Sequence, residues 1–143
     1  MESEILKTLQ EKGYHVLYQE KTDSTNVWAG RLAREGAPSR TLVCADMQTD
    51  GRGRRGRRWE SPPGESLYMT LILRPDFCPQ QASMLTLVTG LSVAQALCAM
   101  TGLEALLKWP NDVVVSGKKI CGILTEMSAG MDRVEYILIG VGI

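Results

Sequence analysis

Residues 51–59 read Gly-Arg-Gly-Arg-Arg-Gly-Arg-Arg-Trp, so five arginines and three glycines occupy eight consecutive positions ahead of an indole. Glycine weakens helices and strands alike, and nothing in the run is apolar enough to bury. Crowding five guanidinium groups costs Coulomb energy that an anion would offset. Backbone N–H groups of a glycine turn and guanidinium forks together make a phosphate grip. Trp59 offers a flat face on which a ring can stack. Composition alone leaves three readings open: a solvated loop, a nonspecific nucleic-acid contact, and a grip on a phosphate-bearing small ligand.

Two further clusters could do chemistry. Lys108-Trp109-Pro110-Asn111-Asp112 and Lys119-Ile120-Cys121-Gly122-Ile123 lie on two arms of one predicted hairpin. The plain reading is a common Pro-Asn-Asp turn and solvated edge lysines. The chemical reading sends Lys119 into the same cleft as the basic run, to hold a carboxylate and later a phosphoryl oxygen, with Asn111 or Asp112 orienting a hydrated metal ion. Ser24, Thr25 and Asn26 open a predicted helix and are all capping types. Alternatively, they present hydrogen-bond partners to a small polar group. Other chemistries are poorly served. The single histidine, His15, has no nucleophile partner, which disfavours a Ser-His-Asp site. No HExxH or Walker motif occurs, and the basic run does not open a helix as a dinucleotide fingerprint must.

The 143 residues suit one domain with a real core, and the 44% hydrophobic and 22% charged content is that of a globular soluble protein. Net charge is zero although half of the arginines sit in one loop. A neutral body with one focused positive patch suits a small anion better than nucleic acid. Cys44, Cys78, Cys98 and Cys121 form no CxxC pair and read as reduced, mostly buried thiols of a cytoplasmic protein. The apolar run 84–100 falls short of a membrane span, and no secretory signal or internal repeat is visible.

The elements that must position these residues follow from periodicity. Helices are predicted over 4–12 (capped by Ser3), from the Ser24-Thr25-Asn26 cluster to about 35, and over 80–101. Strands are predicted over 15–20, 41–47, 66–73, 105–109, 113–115, 120–127 and 134–143. Met84, Leu87, Val88, Leu91, Ala94 and Cys98 recur at helical spacing. They predict a core helix under the sheet, with Gly90, Ala94 and Ala96 allowing close approach. The last strand ends without a polar stop, which suggests a fragment of a longer chain.

Taken together, Asp23-Ser24-Thr25-Asn26, Gln48 with the 51–59 run, Lys108 to Asp112, Lys119 to Glu126 and Ile139-Gly140-Val141-Gly142-Ile143 resemble the catalytic domain of the biotin protein ligases. The resemblance implies an α+β fold with a mixed sheet backed by helices, related to class II aminoacyl-tRNA synthetases and lipoate ligases. It implies biotin and ATP as substrates, with Mg2+ accompanying ATP. Biotinyl-AMP would form first. A lysine of a biotin carboxyl carrier domain would then take the biotinyl group.

By position, Ser24, Thr25, Asn26 and Gln48 would contact biotin, and Arg52, Gly53 and Arg54 would cover it and its activated carboxyl. Lys119 would bind the carboxylate and phosphate, with Arg54 and Lys119 as the catalytic pair. Trp59 would flank adenine, while Arg52, Arg54, Arg55, Lys108, Asn111 and Asp112 would border the nucleotide. No nucleic-acid or membrane partner is implied, and the chain would be a monomer or homodimer. The family's N-terminal DNA-binding module, the end of its catalytic domain and its small β-barrel are not expected in 1–143. A lipoate or octanoate ligase and an Arg/Gly-loop nucleic-acid binder stand as alternatives.

Overall fold

The computed structural model describes residues 3–143. Helix α1 spans Ser3–Glu11, β1 His15–Thr22, α2 Thr25–Arg34, β2 Thr41–Gln48, β3 Tyr68–Leu73, α3 Met84–Thr101, β4 Ala105–Lys108, β5 Asp112–Val115, β6 Lys118–Ala129 and β7 Val134–Gly142. The cap assigned to Ser3 lies outside the described side chains. The seven strands form one sheet in the order β1-β2-β3-β7-β6-β5-β4. Only β1 and β2 run parallel; the remaining pairs are antiparallel. Parallel neighbours need a crossover, and α2 supplies it. The result is an α+β fold, as the sequence implies.

Strand alternation divides β7 between two cores. Leu138 packs with Trp28, Ala29, Ala33, Val43 and Ile72 beneath α2. Ile137, Ile139 and Val141 pack with Val113, Cys121, Ile123 and Ala94 of α3. The two helices therefore cover opposite faces of the sheet. Gly140 and Gly142 share the parity of Leu138, so they open onto the α2 side.

Helix α3 departs from expectation. Its inner stripe is Leu85, Thr86, Thr89, Gly90, Val93, Ala94, Leu97 and Cys98, of which only Gly90 and Ala94 are fully buried. Met84, Leu87, Val88 and Leu91, predicted to face the core, are exposed, and so is Ala96. The physical reason is closeness of packing. A Cβ on Gly90 would come within 2.8 Å of Leu107 Cδ2, so the helix sits closest to the sheet at Gly90 and Ala94, with Leu85, Val93 and Leu97 packed beside them. Apolar residues on both faces give the periodicity no phase. By length and composition the segment Pro79–Thr101 could also cross a membrane, with a hydropathy of 1.6. It is longer than the 84–100 run suggested.

Candidate active site

The N-terminus of α2 lies against β2, β3 and β6. Ser24 has the extended backbone of an N-cap (φ −152°, ψ 138°), but its hydroxyl makes no capping bond. The cap comes from another strand: the Thr25 N–H donates to Gln48 Oε1 at 2.8 Å. Asn26 donates from Nδ2 to Glu126 Oε1 (2.7 Å) and Leu124 O (3.4 Å). Its Oδ1 accepts from Thr70 Oγ1 at 2.6 Å. Thr70 also lies 2.9 Å from Thr25 Oγ1. Gln48 Nε2 reaches Ser61 Oγ at 2.8 Å, and the Ser61 hydroxyl donates to Trp59 O at 3.2 Å. This network of buried polar groups satisfies itself through partners brought from five elements, as buried polar groups must.

The basic run folds back as a small hairpin. Arg52 and Arg58 form an antiparallel bridge. Gly53 N–H donates to Arg57 O at 2.7 Å, and Trp59 N–H to Gly51 O at 2.8 Å. Arg55 turns the corner at φ 57° and Gly56 at φ 71°. No arginine of the run forms an ion pair with a carboxylate among the described residues. Arg54 reaches only Asn111 Oδ1, at 3.4 Å.

The glycines of β6 and β7 accept two side chains from elsewhere. Gly122 and Gly142 are register partners. A Cβ on either would lie 2.6–2.7 Å from the Trp59 ring, so the indole rests flat across this bare strip of sheet. A Cβ on Gly140 would collide with the Asn26 carboxamide, at 2.9 Å from Cγ. Lys119 Nζ stands 5.1 Å above the centre of the same indole and 3.0 Å from Asp112 Oδ1. The latter contact is an ion pair without hydrogen-bond geometry. Behind it, burial pushes the Cys121 thiol up to about 11, with the Asp112 charge adding to the effect.

These pieces line one narrow cleft of about 50 Å³, smaller than a usual small-ligand site. Ser24, Thr25, Asn26 and Gln48 line its uncharged end; Arg52, Gly53, Arg54, Trp59, Asn111 and Lys119 line its cationic end. Arg55 and Asp112 border a depression just outside. Lys108 is exposed on the edge strand β4, one strand beyond Asp112, and is not brought to the cleft. Asn111 spends its Nδ2 on Ile123 O at 3.0 Å. It therefore anchors β6 as well as facing Arg54.

No cluster of three or more metal-ligating residues occurs among the described residues. Asp112 Oδ1, buried beside Lys119 Nζ at 3.0 Å, already has a cationic partner.

Sequence reasoning missed Ser61, Thr70 and Glu126 as members of this site. One signal was present for Thr70: it sits at the buried parity of β3, between Tyr68 and Ile72.

Residues 17–143 match the model of the biotin/lipoate A/B protein ligase family. The chain is 48% identical over 145 residues to the bifunctional ligase/repressor BirA of Bacillus spizizenii, covering 99% of this chain and 44% of that protein. It is 42% identical to the biotin–[acetyl-CoA-carboxylase] ligase of Paracoccus denitrificans, covering 86% and 51%. The structure of the Aquifex aeolicus biotin protein ligase in complex with biotin and ATP superposes with a TM-score of 0.72 at 36% identity, covering 90% of this chain and 51% of that one. The chain thus spans about half the length of the relatives it matches. On the extent of the family match and on these identities, the chain belongs to the biotin/lipoate A/B protein ligase family.

Proposed function

We propose that residues 1–143 form a biotin- and ATP-binding catalytic unit of a biotin protein ligase. The observation that carries this is the polarity of the cleft. A neutral end rich in hydrogen-bond partners adjoins an end that concentrates Arg52, Arg54 and Lys119. That matches a molecule with an uncharged ureido head and a carboxylate tail. A dithiolane ring brings no N–H or carbonyl to the hydroxyls and amides of Ser24, Thr25, Asn26 and Gln48 that line this end, so the pocket favours biotin over lipoate.

In the first step a biotin carboxylate oxygen attacks the α-phosphorus of ATP. The P–O bond to the leaving group breaks, releasing pyrophosphate and forming biotinyl-AMP. Two anions must approach each other, and Arg54 and Lys119 reduce their repulsion. Asp112 holds Lys119 from behind, and the indole of Trp59 walls the cleft. Mg2+ bound to ATP neutralises phosphate charge when present. In the second step the amine of an acceptor lysine attacks the acyl carbon, AMP leaves, and the amine proton is released to solvent.

The acceptor is a biotin carboxyl carrier domain, as the carboxylase named for the relatives suggests. Four free cysteines support a reducing, cytoplasmic setting. Neither nucleic acid nor membrane is a partner in this reading. Calorimetric titration with biotin, followed by biotin-dependent release of pyrophosphate from ATP, tests it. Absence of biotin binding, or a steep salt dependence of DNA binding with no biotin effect, overturns it.

A further inference from the structure

The cleft has a volume of about 50 Å³, while a single benzene ring occupies a cavity of about 150 Å³. A ligand with a fused ring and an acyl chain settles there only if a side chain gives way. The lining groups differ in how they are held. Thr25, Asn26 and Gln48 are tied into the hydrogen-bonded network at the start of α2, and Lys119 is paired with Asp112. The hydrogen bonds of Trp59 are made by its backbone, to Gly51 and Ser61. Its ring is held by packing. The indole spans two neighbouring strands: Cζ3 lies 2.6 Å from where a Cβ on Gly122 would stand, and Nε1 2.7 Å from that of Gly142. Both glycines line the cleft, so the ring fills the floor that two missing side chains leave open.

From this we infer that Trp59 is a gate that occupies its own ligand site. In the empty chain the indole stands in for the apolar portion of the ligand, and binding exchanges one for the other. This assignment rests on the reading of the cleft as a biotin site, where that portion is the fused ring and its acyl chain. The exchange has a second effect. Lys119 Nζ stands 5.1 Å from the centre of the ring, within cation–π range. Removing the ring uncovers the ammonium as the ligand's carboxylate arrives. The backbone of Trp59 keeps its bonds to Gly51 and Ser61, so the ring turns about its side-chain torsions and the hairpin need not unfold.

Two measurements on the full chain test this. By calorimetry, Trp59→Ala should bind biotin about tenfold more tightly than wild type, because the ligand no longer displaces an apolar contact worth on the order of that factor. A ring that served only as a wall would cost affinity when truncated. The second measurement follows the ring in wild type labelled with 5-fluorotryptophan, using the fluorine line that disappears in Trp59→Phe. The H2O/D2O solvent shift of that line should grow on saturation with biotin, as the ring leaves the floor, while the line of Trp28 in the α2 core stays in place. This reading stands whether or not Trp59→Ala folds. Weaker binding by a folded Trp59→Ala, or a solvent shift that stays constant or shrinks, overturns the inference and leaves the proposed function standing. Failure of wild type to bind biotin overturns both.

Discussion

The indole of Trp59 occupies the space that a side chain on Gly142 would need, with Nε1 2.7 Å from the position of the absent Cβ. The last strand of the sheet and the end of the arginine hairpin are thereby joined through a missing side chain. Gly142→Ala should lift the indole, free Lys119 from its ring, and destabilise the chain by roughly 1–3 kcal/mol, as overpacking does. Thermal melts give the loss of stability. Trypsin cleavage within 52–58 should accelerate relative to wild type; an unchanged cleavage rate would mean the indole does not hold the hairpin down.

Lys119 stands between Asp112 and the mouth of the cleft. Lys119→Ala should slow biotin-dependent pyrophosphate release by about 10²–10³, the usual effect of losing one preorganised charge donor. Biotin affinity should fall much less, because the ureido end is held by α2. Equal losses in binding and in the rate of adenylation would show that Lys119 serves binding alone.

Five guanidinium groups without carboxylate partners repel one another until an anion arrives. Residues 51–58 should therefore exchange amide hydrogens rapidly when empty and gain protection with biotinyl-AMP. Exchange measured by mass spectrometry in both states decides this, and equal protection sinks the idea. In the same assay Arg54→Gly should release the adenylate faster.

The Arg31 guanidinium donates to Asp23 Oδ2 at 2.9 Å, and that bond chiefly holds the Asp23 carboxyl down at about 2. A lowered folded-state value means the contribution is fully present above the unfolded carboxylate value near 4. It is lost as pH falls toward 2. Both side chains are more than 40% exposed, so the effect is small, under about 1 kcal/mol. Arg31→Met should flatten the dependence of melting temperature on pH between 4 and 2 and leave the value at neutral pH nearly unchanged. A slope as steep as wild type's would assign the acid sensitivity elsewhere.

Burial pushes the Cys44 and Cys121 thiols to about 11, while Cys78 is exposed. Thiolate is the reactive form. At pH 8 an alkylating reagent should modify Cys78 first, with Cys44 and Cys121 reacting only on unfolding. Early labelling of Cys121 would show that the region behind Lys119 opens in the native state.

Residue chemistry and spacing alone determined a good deal here. Strand alternation and turn residues located the hairpin at Ser116-Gly117, which the structure closes at φ 50° and 76°, because such signals are local. The arginine run, Lys119 and the Ser24-Thr25-Asn26 cluster each kept a plain reading open by composition, and only their joint resemblance to a known family grouped them as one candidate site. Tertiary structure alone decided what depends on distant volume and direction. Helix α3 is apolar on both faces, so only its fit over Leu107 chose which stripe turns inward. Asn26 and Glu126, one hundred residues apart in the chain, meet because β7 carries no side chain at Gly140. Thr70 became part of the buried network rather than a plain strand residue only when the fold set its hydroxyl between Thr25 and Asn26. A hydrogen bond has direction, and direction exists only between groups already placed.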